Sequence, residues 1–161
     1  MTMSGLPTRR FAFEAFLPAD KKERKKVLDE LVQETRTIVL YEAPHRLIKT
    51  LKELREHLGN RRATLCREIT KKHETALVSS LDRLLEYYQT QEPKGECVLV
   101  IEGKSQAEKE EESRQEWMQM TLEEHMKYYE EQGMERKTAM KQVAKDRGTT
   151  KREIYQKLLT D

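Results

Sequence analysis

Short apolar runs and helically spaced apolar positions alternate along the first hundred residues. The runs predict buried β-strands at Phe11–Leu17, Thr37–Tyr41, Ala63–Cys66 and Glu96–Ile101, and Thr75–Val78 is a weaker candidate for a further strand. Between them, apolar residues recur every three or four positions, which predicts helices over Lys21–Glu34, Arg46–Leu58 and Ser80–Gln89. Strands that alternate with helices in this way are typical of an α/β domain with a mixed sheet.

The pattern changes after Gly103. The segment Gln106–Glu116 is polar and acidic, and reads either as a linker or as a solvated helix. Three helices are predicted beyond it, at Thr121–Gln132, Lys137–Arg147 and Lys151–Leu159. The last two are joined by a turn at Gly148, which is helix-turn-helix spacing, and Thr149 or Thr150 can cap the final helix.

Charge divides the chain in a similar way. The whole chain is 36% hydrophobic and 37% charged, with a net charge of only +2, so overall basicity does not indicate a nucleic-acid partner. Residues 1–103 carry a net +3, residues 104–132 a net −5 and residues 133–161 a net +4. We therefore predict an α/β domain over 1–103, an acidic linker over 104–120 and a small basic helical tail over 121–161.

Several classes of protein are disfavoured by what the sequence lacks. Cys66 and Cys97 are isolated thiols inside strand-like runs, which is consistent with buried residues in a reducing cytoplasm. The chain shows no secretory signal and no apolar run near the roughly 18 residues of a membrane helix, so no membrane partner is expected. It has no phosphate-binding loop, GxSxG or HExxH motif, and His45 and His73 do not have metal-ligand spacing.

Two polar clusters follow predicted strands, where open α/β sheets bind their ligands. The first, Tyr41–Arg46, brings a carboxylate, an imidazole and a guanidinium together within a few residues. The second, Arg67–Glu74, offers Arg67 and Lys71 to phosphate and His73 to proton transfer. From spacing alone, a capped helix start with solvated charges explains the first cluster as well as a ligand site does. A charged loop with local ion pairs is the more usual explanation of the second.

A third group of polar residues is the set of cations around the predicted turn of the tail. A helix-turn-helix could lay its last helix on nucleic acid, with lysines and arginines on phosphates. The alternative is a helical hairpin whose lysines are merely solvated. The candidate contacts are Lys141, Lys145, Lys151 and Arg152.

Five motifs, in this order, give the chain a resemblance to a known family. They are Ser4–Thr8, Phe13–Pro18, Tyr41–Leu47, Arg67–Glu74 and Pro93–Gly103, and the tail Met134–Leu158 looks like that family's helix-turn-helix extension. The chain thus resembles the ribosomal RNA small subunit methyltransferase I family, which has the tetrapyrrole methylase fold. The resemblance covers nearly the whole chain, and motifs in series are far more specific than any one alone.

The resemblance implies a fold and an activity. Family members have two α/β lobes and transfer a methyl group from S-adenosylmethionine to the ribose 2′-oxygen of a cytidine in small-subunit ribosomal RNA. This chain resembles the C-terminal mixed-sheet lobe followed by the all-α tail. The family's N-terminal lobe, with its glycine-rich cofactor loop, has no counterpart here, so we expect the isolated chain to be inactive. Homodimers are usual in the family.

The resemblance also implies site residues. Cofactor contacts are expected from Tyr41, Glu42 and Ala43, and further ones from Glu68 and Ile69. We expect Arg46, Arg67 and Lys71 to contact the RNA backbone. The group that removes the ribose proton is left open among His45, His73, Glu42 and Glu74, or lies in the absent lobe.

Other functions remain open at this point. The chain could be a free-standing RNA-binding or interaction module without catalytic activity, or a fragment with no retained activity. Methylation of a tetrapyrrole, as in more distant relatives of the fold, is a weaker alternative, because the Tyr41–Arg46 motif points to the RNA branch.

Overall fold

The computed structural model describes residues 1–160, with side chains as far as Leu159. The chain divides into two compact units, Met1–Lys104 and the part that begins at Ser105. Each unit has a separate hydrophobic core.

The first unit is built on a five-stranded mixed sheet. Its strands are β1 (Phe11–Phe16), β2 (Thr37–Glu42), β3 (Arg62–Arg67), β4 (Thr75–Ser80) and β5 (Cys97–Ile101). Their order across the sheet is β1-β2-β5-β3-β4, in which only β1 and β2 are parallel neighbours. Because β5 runs antiparallel to both β2 and β3, strands β1, β2 and β3 all point the same way. The predicted α/β class with a mixed sheet is confirmed, and the weaker strand candidate is β4.

Three helices cover one face of this sheet: α1 (Lys21–Val32), α2 (Pro44–Leu58) and α3 (Leu81–Thr90). Helix α1 begins where the Asp20 carboxylate accepts the backbone N–H groups of Lys22 and Glu23. Helix α2 begins two residues earlier than predicted, because Pro44 fits the first helical turn, where no N–H partner is needed.

The core between helices and sheet is mainly leucine and isoleucine. Fully buried side chains come from the sheet at Ile38, Leu40, Leu65, Leu99 and Ile101 and from the helices at Leu47, Leu51, Leu54, Leu81 and Leu84. Each such side chain contributes roughly 1.5–3 kcal/mol by leaving water. This packing holds the ends of the strands in place.

The opposite face of the sheet is only partly covered. A short 3₁₀ turn at Thr2–Ser4 and the following Leu6 pack over Val39 and Val100. A β-bulge between Phe13 and Ala15 shifts the register of β1 against β2, so Phe13 and Phe16 both lie on the open face beside Tyr41.

The second unit is helical and contains α4 (Gln106–Gln119), α5 (Leu122–Glu131), α6 (Arg136–Asp146) and α7 (Lys151–Thr160). The acidic segment, left open as linker or solvated helix, is the helix α4. It starts with a reciprocal capping box between Ser105 and Glu108 and buries none of its own residues. The core of the unit comes from α5, α6 and α7 and consists of Met126, Tyr129, Ala139, Val143, Ala144 and Ile154.

Helices α6 and α7 form the predicted helix-turn-helix. Gly148 has a positive φ of 63°, which a glycine adopts without strain. Of the two candidate caps for α7, Thr150 is the residue whose hydroxyl accepts the Glu153 backbone N–H, at 3.3 Å. Among residues 1–160, no helix is long and apolar enough to cross a membrane.

Candidate functional site

A pocket of about 600 Å³ opens at the edge of the sheet where β1, β2 and β3 end and β5 begins. Its size lies within the range usual for small-molecule sites, and its position is the one where open α/β sheets bind ligands. The lining residues are Phe16, Tyr41, Glu42, Ala43, Pro44, Ile69, Glu96, Cys97 and Val98.

One wall of the pocket is aromatic. The Tyr41 ring is 41% exposed, and its centroid lies 5.1 Å from that of Phe13 and 5.7 Å from that of Phe16. Edge-to-face contacts of this kind hold a ring in one orientation. Tyr41 can therefore offer a fixed planar surface to a ligand.

Glu42 occupies the opposite side of the strand from Tyr41, and its side chain is turned into the protein. Only 2% of the residue is exposed. One carboxylate oxygen accepts the Ala43 backbone N–H at 2.8 Å, and the other accepts the Thr50 hydroxyl at 2.5 Å. Both oxygens are thus engaged inside the protein.

Arg24 supplies the positive charge that Glu42 needs. Its Nη2 donates to the Thr50 hydroxyl at 2.6 Å and lies 4.0 Å from Glu42 Oε2, while its Nε donates to Glu53 at 2.7 Å. Arg46 approaches the other Glu42 oxygen at 3.7 Å. We call Arg24, Glu42, Arg46, Thr50 and Glu53 the Glu42 network. It fixes the Ala43 peptide, and so the loop that forms the floor of the pocket.

The loop after β3 forms the facing wall. Glu68 and Thr70 have positive φ values of 51° and 67°, which is unusual for residues with side chains. Glu74 holds this turn because its carboxylate accepts the Thr70 N–H at 2.5 Å. The turn leaves Ile69, which is 37% exposed, at the pocket.

Glu68 ties this loop to the segment before β5. Its Oε1 accepts the Glu96 backbone N–H at 2.9 Å, and this hydrogen bond is the main reason why the pKa of Glu68 lies below its ordinary value. Lys71 reaches both Glu96 and Glu68, at 3.1 and 3.4 Å, and these carboxylates raise its pKa. A Cβ on Gly95 would clash with the Glu68 side chain, and the positive φ of 77° at this position also favours a glycine.

The structure thus brings four of the five predicted cofactor neighbours into one pocket, namely Tyr41, Glu42, Ala43 and Ile69. Glu68 does not line the pocket, but its hydrogen bond to the Glu96 backbone holds the loop that forms one wall. Of the predicted proton acceptors, His45, His73 and Glu74 are exposed and none of them is among the pocket-lining residues. Within the described residues, no group of three His, Cys, Asp or Glu side chains is placed to hold a metal ion.

The predicted RNA contacts fall into two kinds. Arg46 is engaged with Glu42 and the Leu17 carbonyl, Arg67 donates to Thr75, and Lys71 bridges two carboxylates. The tail cations are different, because the side chains of Lys141, Lys145, Lys151 and Arg152 make no hydrogen bond or ion pair with any described residue.

Several residues of the site were missed from the sequence. Phe16, Cys97 and Val98 line the pocket because of a β-bulge and because β5 pairs with β2 in antiparallel register, and neither feature has a local sequence signal. Arg24, Thr50 and Glu53 lie on helices α1 and α2. A buried arginine on the basic α1 looks like any other lysine or arginine in the sequence.

Fold and pocket together define the first unit as an α/β domain with a pocket at the edge of its sheet. Residues 2–85 match the family model of the Tetrapyrrole (Corrin/Porphyrin) Methylases. The chain belongs to this family.

The sequences of curated relatives align with most of this chain. The Ribosomal RNA small subunit methyltransferase I of Halalkalibacterium halodurans is 41% identical over 152 residues, which are 94% of this chain and 52% of that protein. The protein of the same name from Bacillus subtilis is 40% identical over 152 residues, with the same two shares. A cobalt precorrin-4 methyltransferase structure matches with a TM-score of 0.43 at 18% identity, over 58% of this chain and 40% of that one. The chain spans about half the length of the curated relatives it matches.

Proposed function

We propose that this chain is the C-terminal lobe of a methyltransferase that uses S-adenosylmethionine to methylate the ribose 2′-oxygen of a cytidine in small-subunit ribosomal RNA. The observation that carries the proposal is the pocket at the end of β2, in a chain whose relatives along 94% of its length are named ribosomal RNA small subunit methyltransferase I. Because the chain spans about half of those relatives, a second lobe would supply the rest of the site.

The pocket residues suit this cofactor. The adenine ring of the cofactor is planar and apolar on both faces, and Tyr41 and Ile69 offer it aromatic and aliphatic surface. The peptide group of Ala43, held by Glu42, and the carboxylate of Glu96 offer polar partners at the rim. When bound, the cofactor supplies a methyl group already activated by its sulfonium.

Glu42 acts in this scheme as a positioning residue. Its two oxygens are occupied and its side chain is buried, so it orients Ala43 rather than taking up a proton. The base that takes the ribose proton is then His45, His73, Glu74 or a group of the second lobe. Arg46, Arg67 and Lys71 remain candidates for RNA contacts, although RNA phosphates would have to compete with their present partners.

The proposed partners are small-subunit ribosomal RNA and a second copy of the enzyme. Phe11, Phe13 and Phe16 are about half exposed along the edge strand β1, and apolar surface of this kind favours association. A cytoplasmic location follows from the proposed ribosomal substrate.

The second candidate function is a free-standing RNA-binding module without catalytic activity. It is favoured by the tail, where the side chains of Lys141, Lys145, Lys151 and Arg152 have no hydrogen-bond or ion-pair partner among the described residues. This function would need the second unit and not the pocket.

A methyl-transfer assay separates the two candidates. The chain is mixed with a separately purified N-terminal lobe from a relative, radiolabelled cofactor and small ribosomal subunits that lack the modification. We expect label in the RNA only when both polypeptides are present, and a loss of roughly five- to 150-fold for Tyr41→Ala, since stacking on an aromatic ring contributes 1–3 kcal/mol. Tyr87→Ala, a tyrosine of similar exposure on α3, is the matched control. No label under any condition would reject the enzymatic proposal.

A further inference from the structure

Helices α6 and α7 enclose an open groove of about 630 Å³ in the second unit. Tyr155, which is 54% exposed, stands on one side of the groove, and the half-buried Met140 lies on the other. Four cations complete the lining: Arg136, Lys137, Lys151 and Arg152. A planar aromatic ring is thus surrounded by positive charge.

Most of the charge in the groove has no partner within the described part of the protein. The side chains of Lys137, Lys151 and Arg152 make no hydrogen bond or ion pair with any described residue. Arg136 has one distant carboxylate neighbour, Glu130, at 3.7 Å. Among the described residues, none that lines the groove is acidic, so an anionic ligand meets three cations that have no charged partner.

We propose that this groove binds single-stranded RNA, with one base stacked on Tyr155 and the flanking phosphates held by the four cations. The inference deepens the function proposed above and rests on it for the choice of RNA. An exposed aromatic ring inside a basic groove is how proteins commonly hold single strands, because every base has a stacking face and every nucleotide a phosphate. Arg152 can add a cation–π contact to the stacked base.

Duplex RNA fits the groove less well. The major groove of an RNA duplex is deep and narrow, so a helix that carries Tyr155 cannot reach its base edges. In a duplex the faces of the bases are also stacked on one another and are closed to a tyrosine ring. An acidic peptide would satisfy the cations, but it would leave the ring without a planar partner.

The test uses the full chain and a fluorescein-labelled single-stranded RNA of about ten nucleotides, followed by fluorescence anisotropy without cofactor. We expect Tyr155→Ala to weaken binding roughly five- to 150-fold and Tyr155→Phe to keep most of the affinity, since a phenyl ring still stacks. Tyr87→Ala is the control for an exposed tyrosine elsewhere. Trp117 fluorescence, which reports on the second unit, shows whether each variant is folded.

The cations are tested through the salt dependence of binding. Lys151→Gln should reduce the slope of log K against log salt by about 0.7, the value for one phosphate contact on a single strand. Lys127→Gln, on α5 and paired with Glu131 at 3.7 Å, should leave the slope unchanged.

Three results would overturn the proposal. They are equal affinity of the wild-type chain and Tyr155→Ala, preference for the duplex of the same sequence, and binding of polyglutamate in place of RNA. Because the assay contains neither cofactor nor second lobe, a failure of methyl transfer leaves this result standing, and a failure here leaves the cofactor pocket untouched.

Discussion

Replacing Glu42 by glutamine should destabilise the first unit strongly while leaving the second unit alone. Glu42 is 2% exposed and accepts hydrogen bonds from Thr50 and Ala43, with Arg24 and Arg46 at 4.0 and 3.7 Å. The glutamine keeps the size and one acceptor oxygen but removes the charge, which leaves Arg24 buried beside a neutral group.

The expected cost is about 3 kcal/mol, the lower end of the range for breaking a buried ion pair, because Glu53 still holds Arg24 at 2.6 Å. Lys49→Gln is the control. Its ion pair with Glu53 is long, at 3.9 Å, and 66% of the lysine side chain is exposed. An exposed pair of this kind contributes at most about 1 kcal/mol.

Two probes separate the units during urea unfolding. Far-UV circular dichroism follows both units, whereas fluorescence follows Trp117, the single tryptophan, which lies in the second. The Ala43 amide should also exchange its hydrogen faster in Glu42→Gln, because its acceptor is weakened. The positioning role of Glu42 would be refuted if Glu42→Gln lowered the free energy of unfolding by less than about 1 kcal/mol. It would also be refuted if the Ala43 amide exchanged its hydrogen as fast as in the wild type.

Three further predictions concern other sites. The pKa of His125 is lowered from 6.5, first by burial and then by the charge of Arg147, so the folded second unit resists protonation of this histidine. The stability of the second unit should therefore fall as the pH drops from above 6.5, and it should level off below the lowered pKa. Urea unfolding of Trp117, which stacks on His125 at 4.2 Å, measures this effect, and a pH dependence that survives in His125→Gln would assign it elsewhere. Gly95→Ala should lower the free energy of unfolding by at least about 2 kcal/mol, because it strains the backbone and displaces Glu68. Gly5→Ala should lower it by about 1 kcal/mol, because φ is also positive there but the space is open. Equal losses in thermal unfolding would show that the Gly95–Glu68 contact does not matter. Lys71→Gln should flatten the salt dependence of RNA binding less than Lys151→Gln, because Lys71 is already paired with Glu68 and Glu96, and an equal or larger change would show that RNA displaces those partners.

Much of the fold could be predicted from the sequence because the relevant signals are local. Continuous apolar runs and helical spacing predicted every strand and α-helix of the first unit, with bounds that differ from the observed ones by a few residues at most, but not the short 3₁₀ turn at Thr2–Ser4. The sequence left two candidates for the N-terminal cap of α7, Thr149 and Thr150. Only the geometry of the turn shows that the Thr150 hydroxyl caps the helix.

The site could be predicted only in part, for a physical reason. Tyr41 lies at the end of β2, Ala43 comes directly after it and Ile69 comes two residues after β3, so their position was predictable. Whether a polar side chain faces the pocket or the core depends on strand register and on partners far away in the sequence. The sequence predicts Glu42 only as a candidate base and gives no sign that Thr50 and Arg24, on two helices, enclose its side chain. The β-bulge that brings Phe16 to the pocket is equally invisible in the sequence.

We propose that this chain holds one half of a cofactor pocket. Isothermal titration of the purified chain with S-adenosylmethionine, with and without an N-terminal lobe from a relative, tests it most directly. We predict binding only when the lobe is added, and weaker binding by the Tyr41→Ala chain under the same condition. Tight binding by the chain alone, or no binding with either preparation, would contradict the account.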